Sequence, residues 1–181
     1  MSTPAHSGET ITIFKVEPRD RSGLVVMSPS QSPDGSLADR HSAYHENLSP
    51  PLTWTEVEGA ESYALIVEDP DAPMEKPFIH WMIWNIPAEA GGLPEGVPQA
   101  QYIDPPHPII QGRNDSGDYG WFGPRPPVGH GVHRYYFQVF ALDQRLEVGP
   151  DTPLTELLNI LKGHTVAQGE MMATYEAPSR Q

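Results

Sequence analysis

Two aspartates, Asp69 and Asp71, stand in the pentapeptide DPDAP directly after the apolar run YALIVE at residues 63–68. A turn at a strand end needs only one such residue. Two acids whose backbone angles are set by neighbouring proline rings point instead to a rigid polar site at a strand mouth. His80 follows in FIHWMIWNIP, between Ile79 and Trp81. That run is apolar on both faces, so the imidazole is either buried against a partner or open to a pocket. A third segment, GPRPPVGHGVHRYYF, carries a Pro/Gly loop into His133, Arg134 and Tyr135. On an extended backbone His133 and Tyr135 share a face and Arg134 points the other way. Loop N–H groups, imidazole N–H and phenolic O–H all donate to phosphate or carboxylate oxygens, and a carboxylate behind an imidazole raises its basicity. The same groups could run general acid/base chemistry, because a histidine beside a carboxylate titrates near neutral pH. Residue types alone do not choose between these uses.

The elements that must position these groups are mostly strands. Stretches 10–16, 24–27, 62–68 and 78–86 are rich in β-branched or aromatic residues, and most close on Gly, Pro or Asp. The longest, VHRYYFQVFAL at 132–142, alternates, with His133, Tyr135, Phe137, Val139 and Ala141 on one face. Near the end, Leu154, Leu157, Leu158 and Leu161 follow a helical spacing, with Thr152 as N-cap, Pro153 at the first helical position and Gly163 just past the end. A second helix is predicted over about 165–175. Strands first and helices last indicate an antiparallel assembly with appended helices, not a wound βαβ fold. Residues 104–108 and 120–131 read as loops, and 1–9 and 177–181 as loose tails.

At 181 residues the chain fits one domain that can bury a core without staples, and it has no cysteine. Disulfides, thiolate nucleophiles and cysteine-ligated zinc are excluded. Eleven basic against 24 acidic residues give a net charge of −13, which repels nucleic acid and broad anionic membrane surfaces. A local anion pocket survives that field, because a few fixed donors outweigh distant, salt-screened charge. No stretch reaches transmembrane length and the N-terminus lacks a secretory pattern, so a cytoplasmic location is expected. The short spacings His41/His45 and His130/His133 do not make a convincing metal set, and neither a metal nor a cofactor is expected. A P-loop, a dinucleotide fingerprint and a nucleophile elbow are all absent from the sequence.

Taken in order, these motifs resemble the phosphatidylethanolamine-binding protein (PEBP) family, in particular its prokaryotic Raf kinase inhibitor-like branch. The residues that carry the resemblance are LSPPLTW at 48–54, Asp69 to Pro73, the His80-Trp81 strand ending Asn85-Ile86-Pro87, GRND at 112–115, and Gly123-Pro124-Arg125-Pro126-Pro127 leading to Gly131-Val132-His133-Arg134-Tyr135. It extends over roughly 10–175, through the leucine-rich helix, Gly163-His164 and Thr174-Tyr175. The resemblance implies a mainly β, sandwich-like fold of two antiparallel sheets, with short C-terminal helices beside the mouth of a small anion pocket. It assigns Asp69, Asp71, His80, His133 and Tyr135 to that pocket, Gly123, Pro126 and Pro127 to its rim, and Phe78 to an aromatic wall. It also implies a homodimer and phosphate-like, phosphoryl-headgroup or carboxylate ligands. One region departs from the family pattern: Tyr119-Gly120-Trp121-Phe122 and then Arg125 replace a small, glycine-rich run, so Trp121, Phe122 and Arg125 are expected to reshape the rim.

For Asp71 the competing expectation is a loop-organising role, and for Arg134 a structural ion pair on the far side of its strand. Three functions follow. The first is a binding module for a small anion, with no covalent step. The second is an enzyme using His80 or His133 with Asp69 for proton transfer on a small molecule of secondary metabolism. The third is a protease or kinase inhibitor acting through protein contact.

Overall fold

The computed structural model describes residues 10–178. In chain order the elements are β1 (Val26–Met27), β2 (Leu52–Trp54), β3 (Ser62–Asp69), β4 (Phe78–Pro87), β5 (Gly92–Leu93), β6 (Tyr102–Ile103), β7 (Ile109–Gln111), β8 (Val132–Leu142), α1 (Leu154–His164) and β9 (Thr165–Glu176). A six-stranded sheet has the order β6-β7-β4-β3-β8-β9 and a three-stranded sheet the order β1-β2-β5. Every pairing between these strands is antiparallel.

The large sheet is covered on both faces, which is why β3 is buried along its whole length and reads as an unbroken apolar run. Tyr63, Leu65, Val67, Phe137 and Val139 face the small sheet and meet Val26, Leu52, Trp54 and Leu93. Ala64, Ile66, Met82, Trp84 and Phe140 face the other way, onto Leu157 and Leu161 of α1 and onto Ile11 and Ile13. The result is three layers: small sheet, large sheet, and helix with the N-terminal segment. The wholly buried aromatics Trp81, Trp84, Phe137 and Phe140 dominate the two interfaces. Each removes on the order of 200 Å² from water, about 5 kcal/mol of transfer free energy before entropy is counted.

Several sequence expectations need correction. Residues 10–16 do not form a strand: residues 12–15 make one 3-10 turn, pinned by Thr12 N–H to Glu68 Oε1 at 2.8 Å and Ile13 N–H to Gln138 Oε1 at 2.7 Å. Of 24–27, only Val26 and Met27 are strand. The second helix over 165–175 does not exist. That segment is β9, paired with β8 from Leu142 to Val132, so α1 is the single α-helix among the described residues. Its helix-favouring Ala, Gln, Glu and Met are overridden by the exposed hydrogen-bonding edge of β8, and Thr165, Ala167, Met171, Ala173 and Tyr175 turn inward on a two-residue period. At α1 the N-cap is Pro153; Thr152 turns its hydroxyl to the Gly149 carbonyl at 2.7 Å, and Gly163 lies inside the last turn. Of the tails expected at 1–9 and 177–181, all but residues 177–178 lie outside the described residues.

Candidate functional site

Antiparallel order places the C-terminal end of β3 between the N-terminal ends of β4 and β8, so Asp69, His80 and His133 reach one end of the sheet from three segments. Alternation carries Asp69, His133 and Tyr135 to the inner face. His80 arrives there by a different route. Val67 pairs with Trp81 but Glu68 pairs with Ile79, so β4 has one extra residue at this point. The bulge lets Trp81 enter the core while His80 also turns inward. Together these residues line a hollow of about 300 Å³, with Phe78 and Phe122 as aromatic wall and Arg125, Pro126 and Pro127 at its edge. Ala72, Pro73 and Met74 complete the lining.

The hydrogen bonds define what each wall atom offers. Asp69 accepts the Asp71 N–H through Oδ1 at 2.7 Å and contacts His133 Nδ1 through Oδ2 at 2.7 Å. Nε2 of His133 meets His130 Nδ1 at 2.6 Å, so a carboxylate and two imidazoles form a chain from the strand end outward. His80 donates Nδ1–H to the Phe122 carbonyl at 2.5 Å, and its own carbonyl accepts the Phe122 N–H at 3.0 Å. This double link leaves His80 Nε2 toward the hollow as a lone pair. Burial pushes the His80 pKa down to about 4, against the Phe122 carbonyl and the Asp69 charge, so the ring is neutral at pH 7. Its ring lies nearly parallel to Phe122 and edge-on to Tyr135, with ring centroids 5.9 and 5.1 Å away.

Tyr135 is 0% exposed, and its hydroxyl has no hydrogen-bond partner among the described residues. Burial, aided by the charges of Asp69 and Asp71, pushes its pKa up, so it remains an O–H donor. A buried unsatisfied hydroxyl costs about 1–3 kcal/mol, and its position in the wall of a hollow is where a ligand oxygen would satisfy it.

Other expected residues lie elsewhere. Asp71 is outside the lining: it takes Arg134 bidentately at 2.9 and 2.8 Å and also accepts the Arg134 N–H at 2.8 Å. Burial pushes the Asp71 carboxyl up, but these bonds outweigh it and hold the group below the ordinary aspartate range. The loop-organising acid and the strand's structural arginine are thus each other's partners. Gly123 is also outside the lining. Its N–H donates to Asn47 Oδ1 at 2.6 Å, and a Cβ there would fall 2.0 Å from the His41 carbonyl oxygen, so it anchors the loop. Trp121 is not a rim residue: it is 2% exposed, packs edge-on against Trp81 and donates Nε1–H to the His41 carbonyl at 3.1 Å. Of the unusual aromatic pair only Phe122 reaches the hollow.

The C-terminal helix is not beside the mouth. α1 borders a separate hollow of about 510 Å³ on the opposite face of the sheet, where Arg113 contacts Asp151 and stacks on Tyr119. His130 was missed as a partner of His133; its three-residue spacing was visible, but only as a metal pattern. Among the described residues no group of three or more His, Asp or Glu side chains is arranged to hold a metal ion.

The arrangement defines a class: a two-sheet antiparallel β-protein with a small hollow at one end of its larger sheet, mostly apolar in its lining, into which a few polar side chains converge. A family model described as phosphatidylethanolamine-binding protein matches residues 27–176, and the chain belongs to that family. It is 46% identical over 134 residues to a UPF0098 protein of Pyrococcus horikoshii, covering 72% of this chain and 65% of that one. A UPF0098 protein of Methanothermobacter thermautotrophicus is 43% identical, with 78% and 91% covered. Among solved structures, YbcL of E. coli, described as a member of the mammalian PEBP family, aligns with a TM-score of 0.77 at 32% identity, covering 86% of this chain and 99% of that one. A PEBP homologue from Chlamydia trachomatis aligns at 0.76 with the same identity and coverage. No helix among the described residues is long and apolar enough to cross a membrane.

Proposed function

We propose that this chain is a binding protein whose hollow between Asp69, His80, His133 and Tyr135 holds a small oxyanion-bearing ligand, a phosphoryl or carboxyl group, without a covalent step. The observation that carries the reading is the Tyr135 hydroxyl, a buried donor with no acceptor. Arg125 at the edge adds a cation, and about 300 Å³ suits a headgroup-sized ligand better than a whole lipid. Titration calorimetry with phosphate and a phosphate monoester tests the reading. Tyr135→Phe should weaken binding about tenfold with little loss of folding stability, since the lost hydroxyl has no partner in the free protein. Absence of any binding at millimolar concentration would contradict it.

A second reading, an acid/base enzyme, draws on the Asp69–His133–His130 chain, since a carboxylate behind an imidazole is the usual way to orient a base. Its signature would be turnover of a bound ligand that is abolished in His133→Ala. Homodimerisation and a protein partner rest on the resemblance alone, and sedimentation velocity of the purified chain reads the first directly.

A further inference from the structure

The donor and acceptor atoms of the hollow narrow the class of oxyanion it takes, given the proposed reading of that hollow. His80 has committed its N–H to the Phe122 carbonyl, so Nε2 offers a lone pair. Tyr135, edge-on at a ring-centroid distance of 5.1 Å, offers an O–H. His133 does not add a donor, because Asp69 takes Nδ1 and His130 takes Nε2. Apart from the Arg125 guanidinium at the edge, the side chains of the wall therefore set one acceptor, His80 Nε2, beside one donor, the Tyr135 O–H. A sulfate or a phosphate diester brings only lone pairs, and one of its oxygens would face Nε2 unpaired. A phosphate monoester in its monoanionic form brings both an O–H and an O⁻.

We propose that the hollow selects oxyanions that carry a proton of their own, phosphate monoesters foremost, with the ligand O–H donating to His80 Nε2 and the Tyr135 O–H donating to a ligand O⁻. A phospholipid headgroup, being a diester, is disfavoured by the same pairing. The groups that face His80 are consistent with a ring that stays neutral. From β3 comes Asp69, which favours the charged form, and from β8 come Tyr135 and His133, the latter disfavouring charge. Phe78 on β4 and Phe122 in the adjoining loop are apolar, and Arg125 at the edge adds positive charge. Asp71, the remaining nearby acid, is engaged by Arg134.

The test is calorimetry on the intact chain with methyl phosphate, dimethyl phosphate and sulfate. Sulfate matches the monoester in shape and dimethyl phosphate matches its charge. At pH 5.5, below the monoester's second pKa of about 6, methyl phosphate should bind roughly tenfold or more tighter than either. At pH 8 its affinity should fall on the order of a hundredfold, with close to one proton taken up per ligand bound, read from the heat in buffers of different ionisation enthalpy. Sulfate binding as tightly as the monoester, with proton uptake, would mean that His80 itself takes the proton, and would overturn the proposal while leaving the oxyanion site standing. Failure of all three ligands to bind would remove the site and the proposal together. His80→Gln, which can turn an amide N–H to the hollow, should narrow the preference over sulfate; the wild-type comparison decides the matter even where that variant folds poorly.

Discussion

His80 links the chemistry of the hollow to the stability of the fold. Its folded pKa of about 4 lies below the unfolded value of 6.5, so between these values only the unfolded chain binds the proton. Stability from this residue is therefore complete above pH 6.5 and is lost as pH falls toward 4, in all about 3 kcal/mol. Buried Glu68, whose pKa burial pushes up, contributes with the opposite sign. The informative quantity is thus the difference between wild type and His80→Gln in urea midpoints at pH 7 and pH 4.5. The wild type should lose markedly more stability than the variant; equal losses would contradict the lowering of the His80 pKa by burial. At this scale the sequence was most legible where one strand's alternation decided the matter, as for His133 and Tyr135. It was least legible at His80, whose inward turn depends on a bulge set by pairing with β3, and at Trp121, where an exposed-looking Gly-flanked aromatic finds room beside Trp81. The lone pair on His80 Nε2 was invisible as well, because the carbonyl that takes the other nitrogen lies 42 residues away.

The elements differ in how locally they are encoded. β3, β4 and β8 carry long β-branched and aromatic runs and could be read directly, and α1 could be read from its leucine spacing. β9 could not, because TVAQGEMMATYE suits a helix in isolation and becomes a strand only against the edge of β8. Gly169 records that constraint. A Cβ there would sit 1.9 Å from the Leu24 carbonyl oxygen, a backbone atom that cannot swing aside. Gly169→Ala should therefore destabilise the protein by about 3 kcal/mol through overpacking. Gly163, in the last turn of α1, meets nothing within 4 Å, and Gly163→Ala should stabilise by about 0.5–1 kcal/mol through helix propensity. Denaturant unfolding of the two variants checks the pair, and a Gly169→Ala protein as stable as wild type would contradict the close packing of β9 against residue 24. Asn85 is a comparable case in β4: at φ 62° it turns its amide to both backbone groups of Leu146, a long-range role with no sequence signature beyond the left-handed tolerance of Asn.

Across the whole molecule, a net charge of −13 surrounds a hollow whose edge carries the cation Arg125, so the proposed anion binding has to rest on short-range hydrogen bonds rather than on the overall field. The layered sheets place that hollow at the end of the large sheet where β3 finishes and β4 and β8 begin, with loop residues completing its wall. Order of elements and the antiparallel class were readable from strands preceding the helix; which residues would face the hollow required the register. The most direct measurement is a crystal structure of the protein grown without oxyanions and then soaked with methyl phosphate. The ligand should lie in the hollow with its oxygens within hydrogen-bond reach of Tyr135 and of His80 Nε2. A hollow that stays free of ligand at saturating concentration, with the Tyr135 hydroxyl bonded to a protein group instead, would contradict the account.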